Sequence, residues 1–299
     1  MEEHQEQTHQ GKNWFDRYYK ILMFIPIILV VISLIYLGMF YQKNGDFFNK
    51  DVSLKGGTTI TIPGEMDSEK LESGLKEKFP DVSFRSLSDL TTGKKLALII
   101  ESSAEQSDLK AAVEGLLGYE LTDKNSSIEF TGPTLSGSFY RQLITALIIS
   151  FILMSCVIFF MFKSFTPSIA VIFAAFSDIV IPLALIDYLG IKISAAGIAA
   201  FLMLIGYSVD TDILLTTRAL KKREGALNSR IYGAFKTGVF MTLTALAAIL
   251  PAFFIVTGLP DSFRQIFLIL AIGLGADIFN TWLTNTGIIK WYCERKGIQ

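Results

Sequence analysis

Six stretches of this 299-residue sequence are apolar for long enough to cross a bilayer, and nothing else limits the possible folds so tightly. A helix needs about 20 apolar residues to span the hydrocarbon. Ile21–Tyr41, Leu143–Phe162 and Thr237–Val256 carry no charge, and Pro167–Leu189, Ile193–Thr217 and Ile266–Ile289 are interrupted only by aspartates. Helices in a soluble core do not run so far with so few charges. A composition of 51% hydrophobic residues and a mean hydropathy of +0.45 agree, because the surface of a soluble domain would dilute both. The expectation is a multi-span α-helical membrane protein with six transmembrane helices. The first block is too long for a cleaved signal peptide, follows the polar stretch Met1–Asn13 and lacks a small-residue cleavage site, so it reads as an uncleaved signal anchor.

The distribution of charge sets the orientation. Lys12, Arg17 and Lys20, then Lys163, the loop Arg218–Lys236, and Lys290, Arg295 and Lys296 fall on one side of the six blocks; the two short loops opposite hold Lys192 and Arg264. The positive-inside rule places both termini in the cytoplasm. Trp14, Tyr18, Tyr19, Trp291 and Tyr292 then form a cytoplasmic aromatic belt, and Tyr36, Tyr41 and Tyr188 lie at the outer interface. The basic run Arg218, Lys221, Lys222 and Arg223 suits topology control and contact with anionic membrane lipid.

The chain therefore divides into a cytoplasmic tail (1–20), a first transmembrane helix (21–41), an extracytoplasmic domain (42–141), a five-helix transmembrane bundle (142–290) and a second tail (291–299). Within 42–141, Thr58–Ile62 is β-branched and short. Asp67–Phe79 has helical spacing with Asp67 or Ser68 as cap. Val82–Leu87 and Leu96–Ile100 read as strands around the turn Thr91–Gly93, Asp108–Leu117 as a second helix, and Ser127–Thr131 as a last strand stopped by Gly132 and Pro133. The order βαββαβ is the ferredoxin-like arrangement, an α+β domain. It holds more acidic than basic residues, which argues against nucleic acid as a partner. The two cysteines, Cys156 and Cys293, give neither a disulfide framework nor a metal-ligand spacing.

Carboxylates inside the spans are the candidate functional groups, since each costs roughly 2.5–3.5 kcal/mol at mid-membrane on insertion scales. Asp178 lies in the third block, Asp210 and Asp212 in the fourth, and Asp277 in the sixth. Asp187, at the outer end of the third, is expected to be interfacial and solvated. Two residues along a helix is about 200°, so Asp210 and Asp212 face different surroundings. Gly206, Ser208, Thr211 and Thr216 suit close packing and polar satisfaction. Lys236 is either a countercharge or an interfacial lysine with its head in water. Pro182 and Pro251 are candidate kinks. These four aspartates with Lys236 form a candidate proton relay. A second reading takes the aspartates as interhelical glue. A third is an intramembrane aspartyl protease, suggested by Gly273-Leu274-Gly275-Ala276-Asp277, in which one extra residue turns the carboxylate by about 100° from the G-x-G-D pattern.

One span, a large domain and five more spans make one repeat of the resistance–nodulation–division architecture. Lys55-Gly56-Gly57-Thr58 resembles the D-x-x-G-G-T that follows the first span in the SecF branch of the SecD/SecF family. Gly132-Pro133 resembles its G-P before the second span. Ser177-Asp178-Ile179-Val180 resembles its H-D-V-[IL], Gly206-Tyr207-Ser208-Val209 its fourth-span G-Y-S motif, and Lys236-Thr237 its Arg-Thr. Ser53 stands where the first motif has an aspartate, with Asp51 two residues back. Thr211 stands where the bacterial fourth span has its carboxylate, flanked by Asp210 and Asp212, and this resembles the archaeal branch. The resemblance implies a non-enzymatic accessory subunit of the Sec system without cofactor or metal. It implies pairing with a SecD-like six-span subunit beside the Sec translocon channel, contact with the translocating polypeptide, and use of the proton or sodium gradient in the cytoplasmic membrane. Which fourth-span aspartate carries a proton stays open. A small-molecule or lipid transporter of the same superfamily is the alternative.

Overall fold

A computed structural model of the protein describes residues 14–66, 68–88, 94–221, 225–255 and 261–298, with the side chains of 14–16, 68–70, 87–88, 255 and 261–262 left aside. Lys12, Asp67, the turn Thr91–Gly93, Lys222, Arg223 and the side chains of Trp14 and Ser68 lie outside what is described.

Among the described residues, six helices are long and apolar enough to cross a membrane. Helix α1 (Trp14–Asn44) is the first. The others are α5 (Pro133–Phe162), α6 (Phe165–Tyr188), α7 (Ala195–Lys221) and α8 (Leu227–Ile255), and a last span of α9 (Asp261–Phe279), a π-helical turn (Asn280–Asn285) and α10 (Thr286–Lys296). Burial ranks them. More than half of the apolar window of α6 and of α7 is covered (56% each), against 6% for α5 and 11% for α8. Small residues explain the difference: Ala170, Ala174, Ala175 and Ser177 on α6 let α7 and α9 approach its backbone. Pro182 is buried within α6, and Pro251 is exposed within α8; both helices continue through their prolines.

Between α1 and α5 lies a separate α+β unit. A one-turn helix α2 (Val52–Lys55) precedes β1 (Gly57–Pro63), α3 (Ser68–Lys78), β2 (Ser83–Ser88), β3 (Lys95–Ser102), α4 (Gln106–Leu117) and β4 (Ser127–Thr131). The sheet is four-stranded and antiparallel in the order β2-β3-β1-β4, as a ferredoxin-like βαββαβ chain requires. Period-2 alternation directs Ile60 and Ile62 of β1 and Leu98 and Ile100 of β3 against Leu71 and Leu75 of α3 and Leu109 and Val113 of α4.

The glycines before β1 have a steric cause. Gly56 adopts φ +88° and Gly57 φ +138°, both in the region that favours glycine. A Cβ on Gly56 would stand 2.5 Å from the Cα of Pro133, and one on Gly57 would run into the carbonyl of Ser102. The Gly-Gly and Gly-Pro pairs, far apart in sequence, are thus one packing contact where the chain enters and leaves the domain.

Candidate functional site

Three of the four mid-span aspartates meet in the centre of the bundle. Asp178 comes from α6, Asp212 from α7 and Asp277 from α9, and each is 0% exposed. Asp178 accepts hydrogen bonds from the Ser208 hydroxyl and from Asn280 Nδ2 at 2.5 Å. Asp212 Oδ1 accepts from Asn285 Nδ2 at 2.6 Å. Thr211 Oγ1 lies 3.0 Å from Asp277 Oδ1, and Thr242 Oγ1 of α8 lies 3.4 Å from its Oδ2. Every partner named here is neutral.

Asp212 and Asp277 share a single hydroxyl. Thr281 Oγ1 stands 2.9 Å from Asp212 Oδ1 and 3.0 Å from Asp277 Oδ1. A threonine hydroxyl has one proton to give, so it serves one carboxylate at a time. Thr211 is divided in the same way between Asp277 and the carbonyl of Ser208, which is 2.8 Å away. Asp212 Oδ2, Asn280 Oδ1 and Asn285 Oδ1 are buried acceptors with no donor among the described residues. At these three atoms the centre is short of donors.

The π-helical turn supplies Asn280, Thr281 and Asn285. In an α-helix, residues five apart sit about 140° apart around the axis. Wider i→i+5 closure brings them nearer to alignment, and Asn280 and Asn285 both point at carboxylates. Sequence reasoning missed these residues, although a polar run Asn280–Asn285 inside an apolar block was a visible signal.

Asp210 does not join the centre. It is exposed on the opposite side of α7 with Met203, Gly206 and Tyr207, and makes no hydrogen bond or ion pair among the described residues. Lys236 is exposed on α8, and no ion pair links it to any of the four aspartates among the described residues. The expectation that Asp187 is solvated is overturned. It is 2% exposed and accepts from the Asn49 amide at 2.7 Å and the Tyr36 hydroxyl at 3.0 Å, because the loop after α1 folds over it. Thr216 is buried, with no partner for its hydroxyl among the described residues. Asp212 and Asp277 both contact the Thr281 hydroxyl, and both are fully enclosed.

Comparison with known proteins agrees with the geometry. The family described as "Protein export membrane protein SecD/SecF, C-terminal" matches residues 116–295. A protein-export membrane protein SecF of Methanothermobacter thermautotrophicus is 39% identical over 282 residues, covering 92% of this chain and 93% of its own. That of Methanocaldococcus jannaschii is 35% identical, covering 92% and 95%. Among solved structures, SecDF of Thermus thermophilus, described as a translocon-associated membrane protein, superposes with a TM-score of 0.74 at 18% identity. The match covers 95% of this chain and 39% of that one. SecDF in a super-membrane-facing form gives 0.60 at 20% identity, again over 39% of its chain. The chain thus belongs to the SecD/SecF family of protein-export membrane proteins, in its SecF branch.

Proposed function

We propose that this protein is an accessory subunit of the Sec translocation machinery, driven by the ion gradient across the cytoplasmic membrane. It pairs with a SecD-like six-span subunit beside the translocon channel, keeps both termini in the cytoplasm and turns its ferredoxin-like domain toward the emerging polypeptide. The observation that carries the reading is the Thr281 hydroxyl shared by Asp212 and Asp277. A site short of donors, walled by neutral groups and contributed by three separate helices, changes its preferred packing when a proton or cation arrives. The energy is sufficient: one charge crossing 100 mV of potential releases about 2.3 kcal/mol.

Pairing is supported by Asp210. A carboxylate facing outward in mid-span costs roughly 2.5–3.5 kcal/mol in lipid. A neighbouring subunit with a hydrogen-bond donor at that depth would lower the cost, and Gly206 leaves open space for its helix to approach. The SecF name carried by relatives over nearly their whole length places export ahead of small-molecule or lipid transport.

The test is purification from native membranes in mild detergent. Recovery with a second six-span subunit, weakened by Asp210→Leu, is the expected result. Recovery alone or as a self-oligomer would contradict the pairing.

A further inference from the structure

The helices that meet at the carboxylates are also tied together at their outer ends, around residues 49–53 between α1 and β1. On α6, Asp187 accepts from the Asn49 amide. In the α6–α7 loop, the Ile193 amide donates to the Asn49 carbonyl at 2.7 Å, and the Asp51 amide donates to the Ile193 carbonyl at 3.0 Å. At the start of α7, the Ala195 amide donates to Ser53 Oγ at 3.1 Å. From α9, Gln265 accepts from the Ser194 amide at 2.9 Å and donates to the Lys192 carbonyl at 2.5 Å. Helix α1 joins through Tyr36, which donates to Asp187.

The same knot reaches the sheet. Lys192 Nζ donates to Ser83 Oγ of β2 at 2.7 Å, and Ser83 stands 3.4 Å from the Glu101 carboxylate of β3. Arg85 pairs with Glu101 and lies 3.9 Å from Asp51. Burial pushes the Glu101 carboxyl above its ordinary range and nearby Asp51 adds to this, while Arg85 and Lys192 oppose it. Asp51 caps α2, which leads through Gly56 into β1. Backbone and side-chain bonds thus run without a gap from α6, α7 and α9 to three strands of the external domain.

We propose that this knot is the joint that passes repacking of α6, α7 and α9 to the extracytoplasmic domain, with Asp187, Gln265 and Lys192 as its positioning residues. It rests on the reading that the carboxylate centre drives that repacking. Between them, Asp187 and Asp178 lie nine residues apart on α6, about 13 Å along the axis, so a tilt or rotation at one is felt at the other.

The experiment is amide hydrogen exchange on the intact protein with its partner. Asp277→Asn is compared with the unaltered chain, alone and combined with Gln265→Ala or with the milder Lys192→Met. Asp277→Asn should alter exchange both in the spans and in residues 49–55, β2 and β3. With the joint broken, it should alter the spans only. An external domain that still responds in both combined variants, or that never responds to Asp277→Asn, would overturn the joint. Export by the single variants separates the two ideas. If Asp277→Asn stops export while Gln265→Ala and Lys192→Met leave it intact, the carboxylate reading stands and the joint falls. If Asp277→Asn exports normally, the carboxylate reading falls first.

Discussion

Asp210 and Asp212 stand two residues apart on α7, yet Asp212 is wholly enclosed and hydrogen-bonded while Asp210 faces outward with no partner among the described residues. One helix thus presents a carboxylate to the centre of the bundle and another to its surroundings. Asp212→Asn should cut export by roughly tenfold, equivalent to about 1.4 kcal/mol of lost coupling, with the protein retained in the membrane. Asp210→Asn should leave the centre intact and instead weaken retention of the partner subunit during purification. Quantitative precursor accumulation and co-purification measured on both variants would separate the roles.

Thr281 offers a finer probe. Thr281→Val keeps the shape and removes the one donor that Asp212 and Asp277 share. Hydrogen bonds between membrane helices are worth about 0.6–1.7 kcal/mol, and a thermal unfolding measurement in detergent should report a loss of that order. Thr281→Ser should restore both stability and export.

The Gly-Gly contact predicts a different failure. At Gly57, a side chain meets the backbone of Ser102 and Ser103, which has little freedom to retreat from a paired strand. Gly57→Ala should destabilise the external domain by about 2 kcal/mol or more, through steric and backbone strain together. Limited proteolysis of the intact protein would register it as faster cleavage within 57–131.

Asp81 gives the external domain a pH signature. Partial burial pushes its carboxyl up, but hydrogen bonds from the Ser103 amide at 2.6 Å and the Ser102 and Ser103 hydroxyls outweigh this and hold it below its ordinary range. A carboxyl lowered on folding stabilises the native state above its unfolded-chain value, near 3.9 for a free aspartate, and that contribution fades as pH falls through the folded value. Asp81→Asn should therefore lower domain stability at neutral pH and make progressively less difference in acid, as read by unfolding at a series of pH values.

Much of this architecture is legible in the residues themselves. Block length alone specifies six spans, and the β-branched run Thr58–Ile62, the helical spacing at Leu71 and Leu75 and the four segments that follow give the βαββαβ order of the domain between the first two. Helical arithmetic separates Asp210 from Asp212, but it cannot say which faces inward, because that depends on where α6 and α9 stand. Asp187 was misjudged for a related reason: depth along a helix says nothing of a loop that returns over its end. The π-helical turn escaped because a widened turn has the same composition as a regular one. Only the packed bundle shows Asn280, Thr281 and Asn285 directed at three carboxylates.

In the proposed function, Asp212 and Asp277 together couple an ion to export. Its most direct test is the accumulation of exported-protein precursors in cells whose only copy carries Asp212→Asn and Asp277→Asn, with membrane level and partner binding matched to the unaltered protein. Precursors should build up as strongly as in cells lacking the protein. Normal export by the double variant would contradict the account and leave these carboxylates as structural links between helices.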